Sequence, residues 1–280
     1  MRYGIIDMGG GFRGIYGAGV YDRLMDQGIV FDMAIGVSAG SANLGYYLAG
    51  QRGRIKRYYN EFNMRPEYAS LHNYLHTHSF LNLDYIYSTL ANTDGEEPLD
   101  HRAFMASPCR YEAVACNALT GKARYFDKSE IRLNHYDAMK ASSALPVYCR
   151  PYVIDGVPYY DGGIVDPAPV ERAFANGCDR VVLVMTRPRD FRRTAHRDRM
   201  DANLIQHRYP QAAKTLARHY LTYNGSLDAA EEYAKQGRVL IVAPDALDGM
   251  STLTRDLPKL EAFYQKGYHD AAAIAVFMGR

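Results

Sequence analysis

The sequence contains no tryptophan, no long run of apolar residues and almost no excess of either charge. It has 33 lysines and arginines against 31 aspartates and glutamates in 280 residues, a formal net charge of +2. Nucleic-acid binding usually leaves a stronger basic footprint, so we expect no nucleic-acid partner. A helix that spans a bilayer needs about 20 consecutive apolar residues, and no stretch approaches that length.

Cysteine is also scarce, and its four positions form no pattern. Cys109, Cys116, Cys149 and Cys178 are separated by long, irregular intervals, without a CxxC pair or a zinc-ligand spacing. Free and mostly buried thiols in a reducing compartment are the simplest interpretation. Asp7 interrupts what would be the apolar part of a secretory signal, so we predict a cytoplasmic protein.

Hydrophobic residues make up 48% of the chain, which is enough for one sizeable core. The N-terminal part alternates predicted strands and helices: a strand over 3–7, a glycine loop over 9–14, a helix over 15–27, a strand over 31–37 and a helix from Ser38. Further predicted elements are strands over 111–116, 123–127, 180–185 and 239–243, and a hairpin over 153–160 that turns at Asp155-Gly156. This alternation predicts an α/β protein with a mainly parallel central sheet covered on both faces.

We expect a single domain over 1–280, because the sequence has no internal repeat and no low-complexity segment. Residues 51–100 are rich in Tyr, His and Asn and predict a helical insertion or lid. Residues 200–280 are predicted to be mainly helical, with a last helix near 257–277. The segment 187–199 carries six arginines. It predicts a solvated loop and helix start, or alternatively peripheral contact with anionic lipid headgroups.

The segment Gly36-Val37-Ser38-Ala39-Gly40 has the form G-x-S-x-G between a predicted strand and a predicted helix. The turn in such an elbow is sharp, so its flanking positions need glycine, and the serine oxygen is held at the carboxyl edge of the sheet. The helix that follows presents its positive end there, which favours developing negative charge. The pattern predicts Ser38 as a nucleophile, with a plain helix N-cap as the structural alternative.

The segment Gly9-Gly10-Gly11-Phe12-Arg13-Gly14 follows the first predicted strand. Such a loop can aim several backbone N–H groups at one point and form an oxyanion hole, which is worth about 3 kcal/mol per donor. Its glycines also match the dinucleotide fingerprint G-x-G-x-x-G, with Asp32 as a candidate ribose ligand. Asp32 precedes the second strand instead of ending it, which makes this alternative the weaker one.

The segment Asp161-Gly162-Gly163 follows the predicted hairpin. A plain turn is the structural interpretation, since Asp-Gly is common in turns. The functional interpretation makes Asp161 the base that accepts the proton of Ser38. A carboxylate is a poor base in water, but a partly desolvated cleft raises its pKa and improves the match.

Together these three elements resemble the patatin-like phospholipase family, in its small stand-alone bacterial form. A fourth stretch, Ala141-Ser142-Ser143-Ala144-Leu145-Pro146, is similar to the Ala-Ser-x-Ala-x-Pro sequence that the family carries ahead of its D-G-G motif. The resemblance extends over about residues 3–185. It implies a three-layer α/β/α fold and a Ser–Asp dyad that hydrolyses acyl esters, typically of lipids.

The resemblance also assigns roles by position. Ser38 would be the nucleophile and Asp161 the base, and the N–H groups of Gly10, Gly11 and Phe12 would stabilise the oxyanion. Arg13 would fix the loop or meet a substrate headgroup. The implied mechanism passes through an acyl-enzyme and requires no metal or cofactor.

Three alternatives remain open from the sequence alone. The first is an α/β-hydrolase with a Ser-His-Asp triad, which would use the same elbow. Only two predicted strands precede Ser38, whereas that family usually places its serine after several strands. The triad also needs a histidine late in the chain, and none of the available ones lies in a favourable loop: His196, His207, His219 and His269. The spacing of His72, His76 and His78 resembles metal ligands but includes no acidic residue, and we expect no metal site. The third alternative is a non-catalytic lipid- or dinucleotide-binding protein.

Overall fold

Eight strands form the central sheet in the computed structural model, which describes residues 1–280. The strands are β1 (Tyr3–Asp7), β2 (Met33–Val37), β3 (Arg110–Asn117), β4 (Ala123–Asp127), β5 (Tyr152–Ile154), β6 (Val157–Asp161), β7 (Arg180–Val184) and β8 (Val239–Val242). Their order is β5-β6-β3-β2-β1-β7-β8, with β4 paired to β3 outside this path. The neighbours from β3 through β8 are parallel, whereas β4, β5 and β6 pair antiparallel.

Twelve helices surround the sheet. They are α1 (Ile15–Asp26), α2 (Ala39–Leu48), α3 (Arg54–Asn60), α4 (Leu71–Thr77), α5 (His101–Ala106), α6 (Asp137–Ser143), α7 (Val170–Ala175), α8 (Ala195–Ile205), α9 (Pro210–Ala217), α10 (His219–Lys235), α11 (Leu257–Asp270) and α12 (Ala272–Phe277). Short 3-10 turns and one π-helix over Tyr85–Leu90 complete the regular structure. No helix is both long and apolar enough to cross a membrane.

The inner strands are buried on both faces, and their alternate side chains enter two different cores. Ile5 and Val182 belong to a core shared with α1, α2, α6 and α11, whereas Ile6 and Leu183 belong to a core shared with α7 and α10. A helix layer therefore lies on each face of the sheet. The predicted three-layer α/β/α fold is confirmed.

Most predicted elements are present within one or two residues of the expected bounds. β1 and β4 begin and end where predicted, and Asp155 and Gly156 both have positive φ, as a tight hairpin turn requires. The second strand begins at Met33 instead of 31, and the predicted last helix is divided at Ala271 into α11 and α12. The four cysteines are buried and unpaired.

The segment 51–100 contains the short helices α3 and α4 and the π-helix. Large apolar side chains from this segment are fully or almost fully buried in the main core, among them Ile55, Tyr59, Phe62, Leu81 and Ile86. These side chains anchor the segment to the main core. Other residues of the segment lie near Gly11 and Ser38, which follow β1 and β2.

Candidate active site

Ser38 occupies the turn between β2 and α2, with φ 57° and ψ −136°. A serine at positive φ is strained, and such strain persists only where the surrounding structure fixes it. The turn leaves no room for side chains beside it: a Cβ on Gly36 would lie 2.3 Å from Ser41 Cα, and one on Gly40 would lie 2.4 Å from the Asp7 carbonyl oxygen. The elbow thus has the close packing that the two glycines predicted.

Two other serines hold the elbow in place. The Ser38 N–H donates to Ser142 Oγ at 2.9 Å, and Ser41 Oγ donates to the Ser38 carbonyl at 2.7 Å. Ser142 belongs to the 141–146 stretch and lies on α6. This stretch therefore has a physical role in positioning Ser38, which the sequence pattern alone did not explain.

Strand pairing brings Asp161 to the end of β2. β4 occupies one edge of β3, so β2 and β6 share the opposite edge and meet end to end along it. Val37 pairs with Val114, and Asp161 pairs with the next residue, Ala115. Ser38 follows Val37 directly, and both Ser38 and Asp161 line the same cavity.

Asp161 is 2% exposed. One oxygen, Oδ1, accepts the Gly163 N–H at 2.7 Å, while Oδ2 is buried without a hydrogen-bond partner. Burial raises the pKa of Asp161 to about 6, against a lowering by the neighbouring Ser38 hydroxyl and the Gly163 amide. The hydroxyl is therefore close enough to affect the carboxylate, although the two do not form a hydrogen bond of ordinary geometry. Oδ2 thus remains free to accept a proton.

The glycine loop contributes fewer free amides than the resemblance implied. The Phe12 N–H donates to the Thr252 carbonyl at 3.0 Å, and the Gly9 N–H donates to Asp7 Oδ1 at 2.8 Å. Gly11 begins a 3-10 turn, so its N–H and that of Gly10 have no acceptor within that turn. Gly10 and Gly11 line the cavity with Ser38 and are the loop residues with amides available to an oxyanion.

Asp7, which the sequence did not single out, anchors this loop. Besides Gly9, it accepts hydrogen bonds from Tyr21 Oη at 3.0 Å and from Asn43 Nδ2 at 3.2 Å. Burial raises its pKa to about 6 despite these bonds. On the other side of the loop, Thr186 Oγ1 donates to the Gly9 carbonyl at 2.6 Å. The loop is thus held by residues that end β1 and follow β7.

Ser38 lines two spaces. The first is a cavity of about 150 Å³ with a polar wall that includes Arg13, Arg187, Arg193 and His219. The second is a narrow apolar pocket of about 30 Å³ built largely by the 51–100 segment. Its apolar lining includes Tyr58, Tyr59, Tyr68, Leu81, Leu83 and Tyr87. Ser38 therefore stands between a cationic side and an apolar side.

The remaining candidate ligands and bases from the sequence lie in three different parts of the fold. Asp32 precedes β2, at the end of the strand opposite Ser38, and accepts the Tyr3 N–H at 2.7 Å. The rings of His72 and His76 stack 4.0 Å apart on α4, and no group of three potential ligand side chains in the structure is placed to hold a metal ion. His219 differs from expectation, because it lines the Ser38 cavity and its Nδ1 lies 3.6 Å from Asp198 Oδ1.

The arginines of 187–199 are mostly engaged with carboxylates. Arg189 pairs with Glu231, Arg192 with Asp228, Arg193 with Asp198 and Arg197 with Asp201. The segment is an irregular stretch that leads into α8, which agrees with the predicted loop and helix start. Contact between this segment and anionic lipids stays a prediction.

The protein has a three-layer α/β/α fold, and a serine elbow and a buried carboxylate line the same cavity at the sheet edge. These features can be compared with those of known protein families. A family model described as patatin-like phospholipase matches residues 8–174, and a domain of unknown function (DUF6363) matches 209–275. The first match covers more than half of the chain. The chain belongs to the patatin-like phospholipase family.

The chain is also similar to individual known proteins. The uncharacterized protein YjjU of Escherichia coli (strain K12) is 30% identical over 67% of this chain and 52% of its own length. An uncharacterized NTE family protein of Mycobacterium bovis is 26% identical over 62% of this chain and 46% of its own length. The chain thus spans about half the length of these relatives. The crystal structure of VipD from Legionella pneumophila matches 98% of this chain and 66% of VipD with a TM-score of 0.53 at 12% identity, which supports the fold.

Proposed function

We propose that this protein is a serine hydrolase of lipid acyl esters, with Ser38 as the nucleophile and Asp161 as its base. The observation that carries the proposal is the end-to-end meeting of β2 and β6 on one edge of β3. That pairing sets a strained serine beside a buried carboxylate that has one oxygen without a partner. Family membership supports the acyl-lipid substrate class.

The reaction proceeds in two steps. Ser38 Oγ attacks the ester carbonyl carbon while its proton passes to Asp161 Oδ2, and the Gly10 and Gly11 N–H groups stabilise the oxyanion. The C–O bond then breaks, and the departing alcohol takes the proton from Asp161. Water attacks the acyl-Ser38 ester with the same carboxylate as base, which releases the fatty acid and restores the serine.

The two sides of Ser38 suggest how the substrate lies. The apolar pocket suits the acyl chain, and the polar cavity suits the alcohol part. About 30 Å³ holds only about two water molecules. A long acyl chain therefore enters only after the tyrosine and leucine side chains of the 51–100 segment move apart.

A second candidate is a Ser-His-Asp arrangement through His219. The specific observation in its favour is that His219 lines the same cavity as Ser38 and has Asp198 beside it. Burial lowers the pKa of His219 despite the opposing effect of Asp198, so the ring stays neutral and able to accept a proton at neutral pH. Activity measurements on variants of Asp161 and His219 separate the two candidates.

A fluorophosphonate probe tests the proposed nucleophile directly. We expect the wild-type protein to form one covalent adduct, which mass spectrometry of peptides locates at Ser38. The Ser38→Ala variant should not be labelled, whereas Ser129→Ala, which removes an exposed hydroxyl, should be labelled like wild type. Failure of the folded wild-type protein to react would favour a binding role.

The pH dependence of turnover should follow the ionisation of Asp161. The carboxylate accepts a proton only when ionised, and its pKa is raised to about 6 by burial. We therefore expect kcat/KM to rise about tenfold per pH unit below that value and to level off above it. The measurement is a pH profile of ester hydrolysis. Persistence of the acid limb in the His219→Gln variant assigns it to the carboxylate, and its disappearance would contradict the dyad.

A further inference from the structure

The apolar pocket beside Ser38 is much smaller than the polar cavity. Its volume is about 30 Å³, against about 150 Å³ for the cavity. A methylene group is about as large as a water molecule, so the pocket has room for about two or three carbon atoms beyond the carbonyl carbon of an ester. A longer acyl chain needs its walls to move, and the hydrogen bonds of those walls decide how easily they do so.

One wall is joined to the serine elbow. Tyr87, which is 4% exposed, forms a hydrogen bond of 3.1 Å between its Oη and Ser143 Oγ, and both residues line the pocket. Ser143 is the last residue of α6, and the residue before it, Ser142, accepts the Ser38 N–H. Moving Tyr87 outward therefore breaks a bond to the same helix that positions the nucleophile.

The turn that follows α6 lies between the two spaces. Leu145 lines both the pocket and the polar cavity, next to Ser38. Two residues further on, Val147 has φ 73°. This conformation is a genuine outlier for a β-branched residue, and it persists only where the surrounding structure fixes it. The turn, and with it the backbone of Leu145, is therefore held firmly in place.

The same turn holds the wall at Leu81. The Tyr148 carbonyl oxygen accepts the Phe80 N–H at 2.7 Å and the Leu81 N–H at 3.4 Å. On its other side, Leu81 forms an antiparallel bridge with Ala69. The Leu81 side chain is 4% exposed and lines the pocket. Its backbone is thus bound from both sides, and a shift that widens the pocket here disrupts these bonds.

The polar cavity is unsuitable for an alkyl chain. Arg13 is 6% exposed and its buried Nε has no hydrogen-bond partner, while Arg187 packs its guanidinium 4.1 Å from the centre of the Phe191 ring and forms no ion pair. An alkyl chain there would displace water from these charges without offering a hydrogen bond in return, which is costly. The acyl chain is therefore left with the small pocket.

We propose that the pocket selects short acyl chains, and that Leu81 and Leu145 set this limit. The inference rests on the proposed hydrolysis at Ser38 and names its substrate class: esters of short acids, from acetyl to butanoyl, whose alcohol part carries the remaining bulk. Longer acyl chains enter only by disrupting the hydrogen bonds of the pocket wall. Each such bond is worth about 1 kcal/mol, which is about fivefold in an equilibrium constant.

A chain-length series tests the limit. We would measure kcat/KM for p-nitrophenyl acetate, butanoate, hexanoate and octanoate, each divided by the rate of alkaline hydrolysis of the same ester. A pocket that accepts the whole chain would raise kcat/KM about fourfold per added methylene. We expect octanoate instead to lie about tenfold or more below butanoate, because its extra carbons disrupt the bonds of the wall. Values that rise continuously to octanoate would overturn the inference.

Two variants enlarge the pocket at separate points. Leu81→Ala and Leu145→Ala should each raise the octanoate-to-butanoate ratio of kcat/KM by about tenfold or more, because the removed side chain leaves space for further methylene groups. Leu119→Ala is the matched control: Leu119 is 56% exposed between β3 and β4, and its removal should leave the ratio at the wild-type value. Thermal unfolding verifies that each variant is folded. An unchanged ratio in folded Leu81→Ala and Leu145→Ala would overturn the role of these leucines.

Binding to the Ser38→Ala variant separates this inference from the proposed reaction. Ligand-observed NMR compares the affinities of 1-butanoyl-glycerol and 1-octanoyl-glycerol without requiring turnover. We expect the octanoyl ester to bind no more tightly than the butanoyl ester. Binding that is about a hundredfold tighter would show that the chain is accepted, and would overturn the limit while leaving the hydrolase proposal intact. An unlabelled wild-type serine would have the opposite effect: it would overturn the hydrolase proposal and leave the measured limit of the pocket standing.

Discussion

Replacing Ser38 by alanine or Asp161 by asparagine should each lower kcat/KM for an ester about 10⁴-fold, and the double variant should lose no more. The reason is that the two groups act as one unit: the hydroxyl is a poor nucleophile without a base, and the base has no task without the hydroxyl. Steady-state hydrolysis of a short-chain ester by the three variants measures this non-additivity.

Two comparisons make that experiment decisive. His219→Gln should lower activity much less than Asp161→Asn, because the proposed mechanism gives the ring no proton to carry. Ser129→Ala controls for the loss of a hydroxyl elsewhere on the surface. Should Asp161→Asn retain turnover while His219→Gln loses it, the triad with Asp198 would replace the dyad.

The Asp161→Asn variant should also be more stable than wild type. Burial raises the pKa of Asp161 from 3.8 to about 6, so the folded state holds a proton that the unfolded state has released between these values. The free energy of unfolding therefore falls as pH rises through this window, and the ionised carboxylate destabilises the fold by about 2 to 3 kcal/mol above it. Asparagine carries no charge, so denaturant unfolding at pH 8 should show a gain of that order, which disappears below about pH 4.

Gly9→Ala should destabilise the protein by several kcal/mol and abolish most activity. Gly9 has φ +64°, and a Cβ there would lie 2.4 Å from the Val37 carbonyl oxygen and 2.9 Å from Ser38 Cβ. The methyl group would push the loop away from the elbow, which separates the proposed oxyanion donors from the nucleophile.

Gly28→Ala is the matched control for this substitution. Gly28 has φ +60°, but a Cβ there would meet nothing within 4 Å, so only the backbone conformation is penalised, by about 1 kcal/mol. Denaturant unfolding and ester hydrolysis of both variants separate the two effects. Similar results at positions 9 and 28 would mean that the contact between loop and elbow is unimportant.

Local sequence patterns predicted much of the fold and indicated the residues that we propose for the site. The elbow, the glycine loop and the hairpin ahead of Asp161 each have a short-range signal, because tight turns restrict residue type. The proximity of Ser38 and Asp161 in space, in contrast, has no short-range signal. It depends on β2 and β6 both pairing with the same edge of β3, and this long-range arrangement leaves no mark in either motif.

The supporting residues were beyond the reach of sequence patterns for the same reason. Asp7 is an ordinary strand-ending residue in the sequence, and Thr252 lies in an irregular stretch of the C-terminal part. Both act through hydrogen bonds to the glycine loop that depend on tertiary packing. Nothing in the sequence distinguishes Arg187 from the five other arginines of its segment, because the ion pairs that its neighbours form depend on tertiary packing.

The contact between α1 and α11 determines whether the N-terminal part of the chain can be separated from the C-terminal part. A Cβ on Gly19 of α1 would lie 2.0 Å from the Tyr264 carbonyl oxygen, and one on Gly267 of α11 would lie 2.0 Å from that of Tyr16. The two backbones therefore touch, and the sheet places β7 against β1 and β8 against β7. The stretch that the DUF6363 model matches therefore packs directly against the stretch that the phospholipase model matches. A fragment cut after residue 174 would leave a helix flank and a strand edge uncovered.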